Sequence, residues 1–483
     1  MSRIRPRLFS AKLLCLLLLL PSCSSHPPKE QRFRLTLPLF PTTLNPQLAT
    51  DITTSSLLYP LYSSLFTFDG EGKIVPDIVE EYSWPTPRRL RLRIKEGLTF
   101  RNGLPLNGET VLANLRYFSD QKGNFPYASE FGFLESLSAK GQEVTLHLKH
   151  PHAPLLSLLT FKILLPSELG KERGRVVGTR GSVLFAHEGR SSLLLEVQGK
   201  TVAVSVEKDP LAAYLRLKRG ESDAVFGHRF EEGLPLEEAG IESVGYSLSS
   251  LYYLAFNLRS PPLNSLLLRE YLAASLPPGP FFALLKGHGF YSPFSLLQKD
   301  YRLPLPPSSR RPLSSRVPTL ELLLNSESPL RSRYALLIQD LLSKRGIRVR
   351  ILPIEYPAYL DRLKRGAFQL ALGAFVFDAD PHQGDLWGSE GGMNYSGLSL
   401  PEVDRLIERG REETDPSRRR EIYLRLSSLV MAAKPLVFLP TPQQVLYRRK
   451  GLSTPVPELV ASNSSALMSL GEWGLPPLPT SDR

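Results

Sequence analysis

The stretch TLELLLNSESPLRSRYALLIQDLLSKRGIRVRI, residues 319–351, carries the clearest pattern in the chain. Thr319 to Leu324 reads as a strand, and Pro329 to Arg345 as a helix with Leu330, Tyr334, Leu337 and Leu341 on one stripe. Gly346 stands where a helix C′ residue should, and Ile347 to Ile351 alternates apolar and polar as a second strand. Pro357 to Lys364 makes a short helix broken by Gly366, and Phe368 to Phe375 is a largely apolar third strand. Strand, helix, strand, helix, strand predicts a parallel α/β layer with right-handed crossovers. Ligands of such sheets sit beyond the carboxyl ends of the strands, which points at Phe375 and the loop 376–392.

Working outward, Ser399-Leu400-Pro401-Glu402 reads as a capping box with proline in the first turn. Asp415-Pro416 opens a further helix, stopped by Pro435, and short strands follow at Val437–Pro440 and Val445–Tyr447. Upstream, residues 299–318 hold five prolines, four serines and four arginines, a solvated crossing or hinge. Nearer the N-terminus, Arg32 to Leu37 alternates as a strand, and 52–68 is apolar and aromatic enough for a buried helix. Strands at Leu90–Ile94 and Val144–Leu148 flank an Asn102-Gly103 turn and a helix over 108–118. No repeat of 20–50 residues is present, which argues against solenoids and propellers.

The 483 residues correspond to two or three domains of about 150 each. A composition 42% hydrophobic and 22% charged is globular, and excludes disorder and a polytopic membrane protein. The net charge of +12 and the two cysteines narrow once the N-terminus is read. Arg3, Arg5, Arg7 and Lys12 precede Leu13–Leu20, an apolar run too short for the roughly 20 residues a bilayer span needs. This is the layout of a secretory signal, residues 1–22. Leu20-Pro21-Ser22-Cys23 resembles a bacterial lipobox, which implies cleavage before Cys23 and a diacylglycerol on its thiol; residues 23–31 are the tether. Cys15 leaves with the signal and the net charge falls from +12 to +8, so disulfide and thiol chemistry drop out.

Seven pieces in order resemble one family, the dipeptide- and oligopeptide-binding lipoproteins of bacterial ABC importers (extracellular solute-binding proteins, family 5). They are Leu44-Asn45-Pro46 with Asp51 to Thr54; Phe68 to Pro76; Ile94 to Leu106; Tyr252 to Asn257; Asn394 to Gly397; Pro401 to Asp404; and Glu413 to Pro416. The resemblance implies an α/β bilobal periplasmic-binding-protein fold, type II, with an extra small domain and a hinge between lobes. Lobe I would comprise 30–55, 175–258 and 436–483, the small domain 56–174, and lobe II 259–435.

Such a fold closes on its ligand. A peptide of arbitrary sequence is gripped through its main chain and its termini. By resemblance, Gly373, Ala374 and Phe375 would offer strand partners from one lobe and Thr42 and Thr43 from the other, with Asn394 and Tyr395 completing the site. The family's ammonium-binding aspartate lies four residues before the proline matching Pro381. Phe377 stands there, with Asp378 and Asp380 flanking it, so either the acid has moved to Asp378 or the anchor is absent; Asp378 is the expected anchor. A second departure is Val177 to Ser182, where the family has Gly-Thr-Gly-Pro and an aromatic; it reads as a rebuilt surface turn.

His147, His150 and His152 read as a solvated strand end, while His382 lies in the proposed cleft, where a metal complex is the minor alternative. Arg418-Arg419-Arg420 and Arg448-Arg449-Lys450 are too short for a nucleic-acid groove and read as a solvated helix face and a strand-end cluster. There is no Gly-x-Ser-x-Gly, His-Glu-x-x-His or phosphate loop. The reading is a monomeric, non-enzymatic, lipid-anchored binder on the periplasmic side, without cofactor, that delivers short peptides to permease and ATPase subunits. The alternatives are a non-peptide solute (a sugar, metal chelate or glutathione-like compound), or an envelope hydrolase or chaperone-like lipoprotein.

Overall fold

The computed structural model describes residues 32–41, 43–49, 52–69, 73–120, 131–171, 176–187, 192–231, 233–285, 287–288, 298, 303, 313, 316–377, 380–456, 459–460 and 466–474. The signal, Cys23 and its tether, Thr42, Asp378 and most of 299–318 therefore lie outside the described residues. The 319–375 module forms as its pattern predicts. Leu320–Asn325 pairs in parallel with Val349–Ile354 and with Leu370–Val376, and the helices Pro329–Ser343 and Tyr356–Lys364 connect them. Ser328 caps the first helix by accepting from the Arg331 amide, and Gly346 ends it at φ +75°. Ser250–Phe256 pairs antiparallel with both Leu370–Val376 and Leu436–Leu439, completing a five-stranded sheet. Its strands are nearly continuous apolar runs because both faces are covered. Tyr253, Ala371, Phe375, Tyr423 and Leu426 pack on one face, and Leu254, Leu322, Leu372, Tyr334 and Ile338 on the other.

A second sheet has eight strands, in the order Leu459–Val460, Ile241–Leu248, Gln444–Arg449, Ala224–Val225, Phe33–Leu37, Lys200–Val206, Ser192–Val197 and Gly181–His187. A third, antiparallel sheet of Val79–Thr86, Arg89–Ile94, Glu143–Leu148 and Leu134–Lys140 has its own core under the helix Gly108–Asp120. The chain passes between the two larger sheets twice: at Ser249, and through residues 440–443. These crossings adjoin, since Tyr246 pairs with Gln444 on one side and Tyr252 with Leu439 on the other. Ser250–Phe256 and Leu436–Leu439 thus pair within the five-stranded sheet, whereas the expected lobe I segments 175–258 and 436–483 include both. A strand edge is satisfied only by its pairing partner, which moves those boundaries to about 249 and 440.

Three local expectations change. The helix expected over 52–68 stops at Leu58, tightens into a 3₁₀ turn at Tyr59–Leu61 and becomes a strand at Phe66–Phe68. Pro60 explains this, since it has no N–H to continue the α ladder. The capping box at 399–402 does not form. Leu400 is the N-cap residue with no side-chain cap bond, and Glu402 instead pairs with Arg425. Nor is Val177–Ser182 a surface turn. Gly178 and Gly181 are buried, the Thr179 hydroxyl accepts from the Ser63 amide, and Arg180 pairs with Asp77. A Cβ on Gly178 would collide with the Leu61 carbonyl, so the glycine permits the segment to pack tightly against residues 61–63.

Candidate ligand-binding site

The site begins with the backbone of Leu370–Val376. Asn257 N–H donates to the Gln369 carbonyl (2.9 Å) and Phe377 N–H to the Ser249 carbonyl (2.7 Å), framing the register Ser250↔Val376 to Phe256↔Leu370. Antiparallel partners alternate between bonded and non-bonded pairs. Gly373 and Phe375 therefore exchange their backbone bonds with Tyr253 and Leu251. Leu372, Ala374 and Val376 turn theirs to the opposite edge. On that edge the ladder to Leu320–Asn325 covers only Leu370 and Ala371, and the Leu372 carbonyl accepts from the Tyr359 hydroxyl (2.7 Å). The neighbouring strand leaves the sheet after Asn325 and enters the helix at Pro329. Among the described residues, no strand pairs with the edge at Ala374 and Val376, and Val376 is exposed.

Of the three residues expected to offer main-chain groups, Ala374 is the one whose backbone is free to do so. Gly373 instead makes room for packing: a Cβ there would strike the Tyr253 ring, which lies across it and stacks on Phe375 at 4.3 Å. The Phe375 side chain is buried between Tyr253, Phe377 and Trp387 and belongs to the core.

Phe377, at the position of the family's acid, is buried at 4% exposure against Phe375. Asp380 is already engaged. Its two carboxylate oxygens accept from the Arg419 guanidinium at 2.6 and 2.7 Å, and one also accepts from the His382 amide at 2.8 Å. Gln298 donates to its carbonyl, so the group braces the loop instead of presenting a charge. Asn394 is buried, donates to the Gly388 and Leu398 carbonyls and accepts from the Leu398 amide, which makes it a loop staple. Thr43 accepts from the Asn45 amide.

Tyr395 is half-buried within electrostatic reach of Tyr253, Tyr356 and Tyr359, and burial raises its phenol above the usual range. Sequence reasoning missed those three tyrosines and Arg331, whose guanidinium lies 5.9 Å over the Tyr359 ring. The rule that ligands gather beyond parallel strands would have found Tyr356 and Tyr359, which follow directly after the strand Val349–Ile354.

His382 is tucked behind the loop. Its Nδ1 is 3.4 Å from the Tyr423 hydroxyl, and burial lowers its pKa to about 4. His152 is buried and stacked 4.0 Å from Phe133, not solvated as expected. Among the described residues, no three His, Cys, Asp or Glu side chains are grouped to hold a metal, and no helix is long and apolar enough to cross a membrane. Arg419 is buried against Asp380, correcting the solvated-face reading of 418–420, while Arg448 and Arg449 pair with Glu242 and Asp223.

Comparison with known proteins agrees with this architecture. Residues 73–179 match the model of bacterial extracellular solute-binding proteins, family 5 middle. The probable D,D-dipeptide-binding periplasmic protein of Escherichia coli K12 is 23% identical, covering 83% of this chain and 86% of the relative. The probable deoxycholate-binding periplasmic protein of the same organism is 22% identical, covering 84% and 87%. The solved oligopeptide-binding protein AppA of Bacillus subtilis, in complex with a nonapeptide, superposes with a TM-score of 0.74 at 18% identity, over 92% of this chain and 99% of that one. The bilobal α/β fold, the match over residues 73–179 and the full-length likeness to these relatives make the chain similar to the family 5 bacterial extracellular solute-binding proteins.

Proposed function

We propose that this protein captures short peptides through their main chain and delivers them to a membrane permease driven by ATPase subunits. The observation that carries the reading is the edge at Ala374 and Val376, which no strand among the described residues pairs, at the carboxyl end of a strand whose other edge is fully paired. An extended peptide adds to such an edge as one more strand, gaining backbone bonds that do not depend on side chains. Thr42 and Thr43 supply the facing contacts, Tyr395 an aromatic wall, and Asp378 the partner of the ammonium. Peptide-binding relatives favour the same reading.

A second reading, a non-peptide solute, is favoured by one feature. Phe377 fills the acid position with a buried ring and Arg419 occupies Asp380, so among the described residues neither position offers a carboxylate to an ammonium. Mass spectrometry of ligand co-purified with the protein separates the two: mixed peptides support the first reading and a single non-peptide compound overturns it. Comparing free with N-acetylated peptides by titration calorimetry tests Asp378. Acetylation and Asp378→Ala should each weaken binding, and unchanged affinity in both removes the anchor. We further propose that the protein is a monomer held at the membrane by lipid on Cys23. Cys23→Ser should then move it from the membrane to the soluble fraction, and unchanged partitioning refutes the anchor.

A further inference from the structure

The outer face of the four-stranded antiparallel sheet carries a charge pattern that ligand capture does not use. On the strand Arg89–Ile94, Leu90, Leu92 and Ile94 are buried in the core, which turns Arg89, Arg91 and Arg93 to the other side. The strand register sorts that side into rows across the sheet. Glu81, Arg93, Glu143 and Lys140 form a row that alternates in sign, and Arg93 also pairs with Glu80 at 3.1 Å. Ser83, Arg91, Thr145 and Ser138 form the next row, and Thr86, Arg89, His147 and Ser136 the last. Neither of these two rows contains an acid or an apolar side chain.

The connections beyond the last row extend the basic surface. The Arg88 guanidinium donates to the Lys149 carbonyl (3.4 Å) and the Lys149 ammonium to the Gly132 carbonyl (2.8 Å), so both bonds go to neutral groups and leave the charges uncompensated. Among the described residues, no ion pair involves Arg88, Arg89, Arg91 or Lys149. Glu135, at the bulge beside Ser136, is the acid that the strand Leu134–Lys140 brings to this end. Charges that guard a sheet against aggregation belong on its edge strands. Here the edges are Val79–Thr86 and Leu134–Lys140, while Arg89 and Arg91 stand on a central strand. Edge protection therefore does not explain them. A protein partner also fits poorly, because protein interfaces are anchored by aromatic and apolar residues at their centre. Guanidinium, ammonium and hydroxyl groups without apolar anchors fit a layer of phosphate headgroups, met by charge and by hydrogen bonds to phosphate oxygens.

We propose that this face rests on anionic phospholipid headgroups, with Arg89 and Arg91 at its centre and Arg88 and Lys149 at its margin. The proposal rests on the lipid-anchor reading and deepens it. From Cys23 to Phe33 an extended tether reaches at most about 35 Å, which keeps the folded body close to the headgroups. Contact through the face then orients a body that the lipid alone leaves free to tumble.

Vesicle co-sedimentation of the mature Cys23→Ser protein, which carries no lipid, tests the face apart from the anchor. Vesicles of phosphatidylcholine alone are compared with vesicles that also contain phosphatidylglycerol, at low and high salt. The protein should sediment with the anionic vesicles at low salt and be released at high salt. Arg89→Gln combined with Arg91→Gln should weaken that binding about 10- to 30-fold, and Arg88→Gln with Lys149→Gln by less. The control pair Arg345→Gln and Arg348→Gln removes two exposed charges just beyond the helix Pro329–Ser343 and should leave binding nearly unchanged. Unchanged thermal melting of the variants places the effect at the surface. Equal sedimentation on both vesicle types overturns the proposal, and so does equal weakening by the control pair, which would mean that net charge alone is felt. Binding to native membrane vesicles that protease treatment abolishes, without binding to the lipid vesicles, gives the face to an acidic protein and overturns it as well. The anchor is judged separately on membranes washed in high salt: wild type that washes off refutes the anchor and leaves the face standing.

Discussion

Arg419 and Lys162 are both basic side chains taken into the interior, and they are accommodated in opposite ways. Arg419, in the five-stranded-sheet half, meets Asp380 in a bidentate pair with both side chains about 10% exposed, and its Nε finds the Gly410 carbonyl. Lys162, where the small sheet joins the eight-stranded one, has only 7% exposure, and its ammonium lies 3.2 Å from the centre of the Tyr59 ring. The nearby acid, Asp77, is taken up by Arg180 and the Ser64 amide. Burial therefore lowers the Lys162 pKa to about 7, with Asp77 only partly opposing it. The first cation defines a loop by a partner it cannot lose. The second is carried at a cost, because a ring face repays less of the lost hydration than a carboxylate does.

The largest effect expected from breaking this contrast is at Arg419. Arg419→Met should leave the Asp380 carboxylate buried and unpaired, lowering stability by about 3–5 kcal/mol in urea unfolding. Replacing both members, Arg419→Met with Asp380→Leu, should recover most of that loss, because the penalty belongs to the orphaned charge. A single-variant loss below about 1 kcal/mol would mean that the pair braces nothing.

This pair also marks what the sequence could and could not disclose. Among three consecutive arginines, the inward one was legible from helix register. Arg419 shares its stripe with Ile422, Tyr423 and Leu426, all buried on the helix Pro416–Ala433. Read as a charge run the segment looked solvated; read at 3.6 residues per turn it does not. Its partner was not legible, since Asp380 is 39 residues away and reached only through tertiary packing. The parallel strands of 319–375 were legible because period and punctuation agreed there. Of their antiparallel neighbours, Leu436–Leu439 is legible as a strand and Ser250–Phe256 only as a piece of the resemblance, and nothing local to either places it in that sheet. Nor does a sequence show which edge of a strand stays open. Ala374 and Gly373 differ in role only because bonded pairs alternate along a register set by Asn257 and Phe377.

At Lys162 the expected change has the opposite sign. Lys162→Met keeps the stem's packing and removes the buried charge, and should raise stability near pH 6 by about 2–4 kcal/mol. The folded pKa of about 7 lies below the unfolded value of 10.5, so the unfolded chain binds more protons between those pH values. Wild-type stability should thus rise from pH 7 towards pH 10, closing the gap to the variant. Parallel curves across that range, or a variant less stable at pH 6, would show that the ring compensates the ammonium fully.

The smallest effect is expected at His152, which sharpens the contrast because among the described residues it has neither a carboxylate partner nor a cation–π face. Its ring stacks on Phe133, and both ring nitrogens are buried with no hydrogen-bond partner among the described residues. Burial, then His382 and Arg411, lower its pKa to about 3; Asp380 opposes this and Arg419 adds to it. A histidine held neutral in the fold and free to charge when unfolded binds fewer protons in the native state between about pH 3 and 6.5. Its contribution is therefore complete above pH 6.5 and is lost as the pH falls through that window. His382, lowered to about 4, acts in the same direction. His152→Phe preserves the stack and removes the titration. Measured by urea unfolding, the variant should match wild type at pH 8 and exceed it by about 1–2 kcal/mol at pH 4.5. An equal difference at both pH values would trace the effect to packing against Phe133, and a larger deficit of the variant at pH 8 would mean that the imidazole nitrogens have partners that matter.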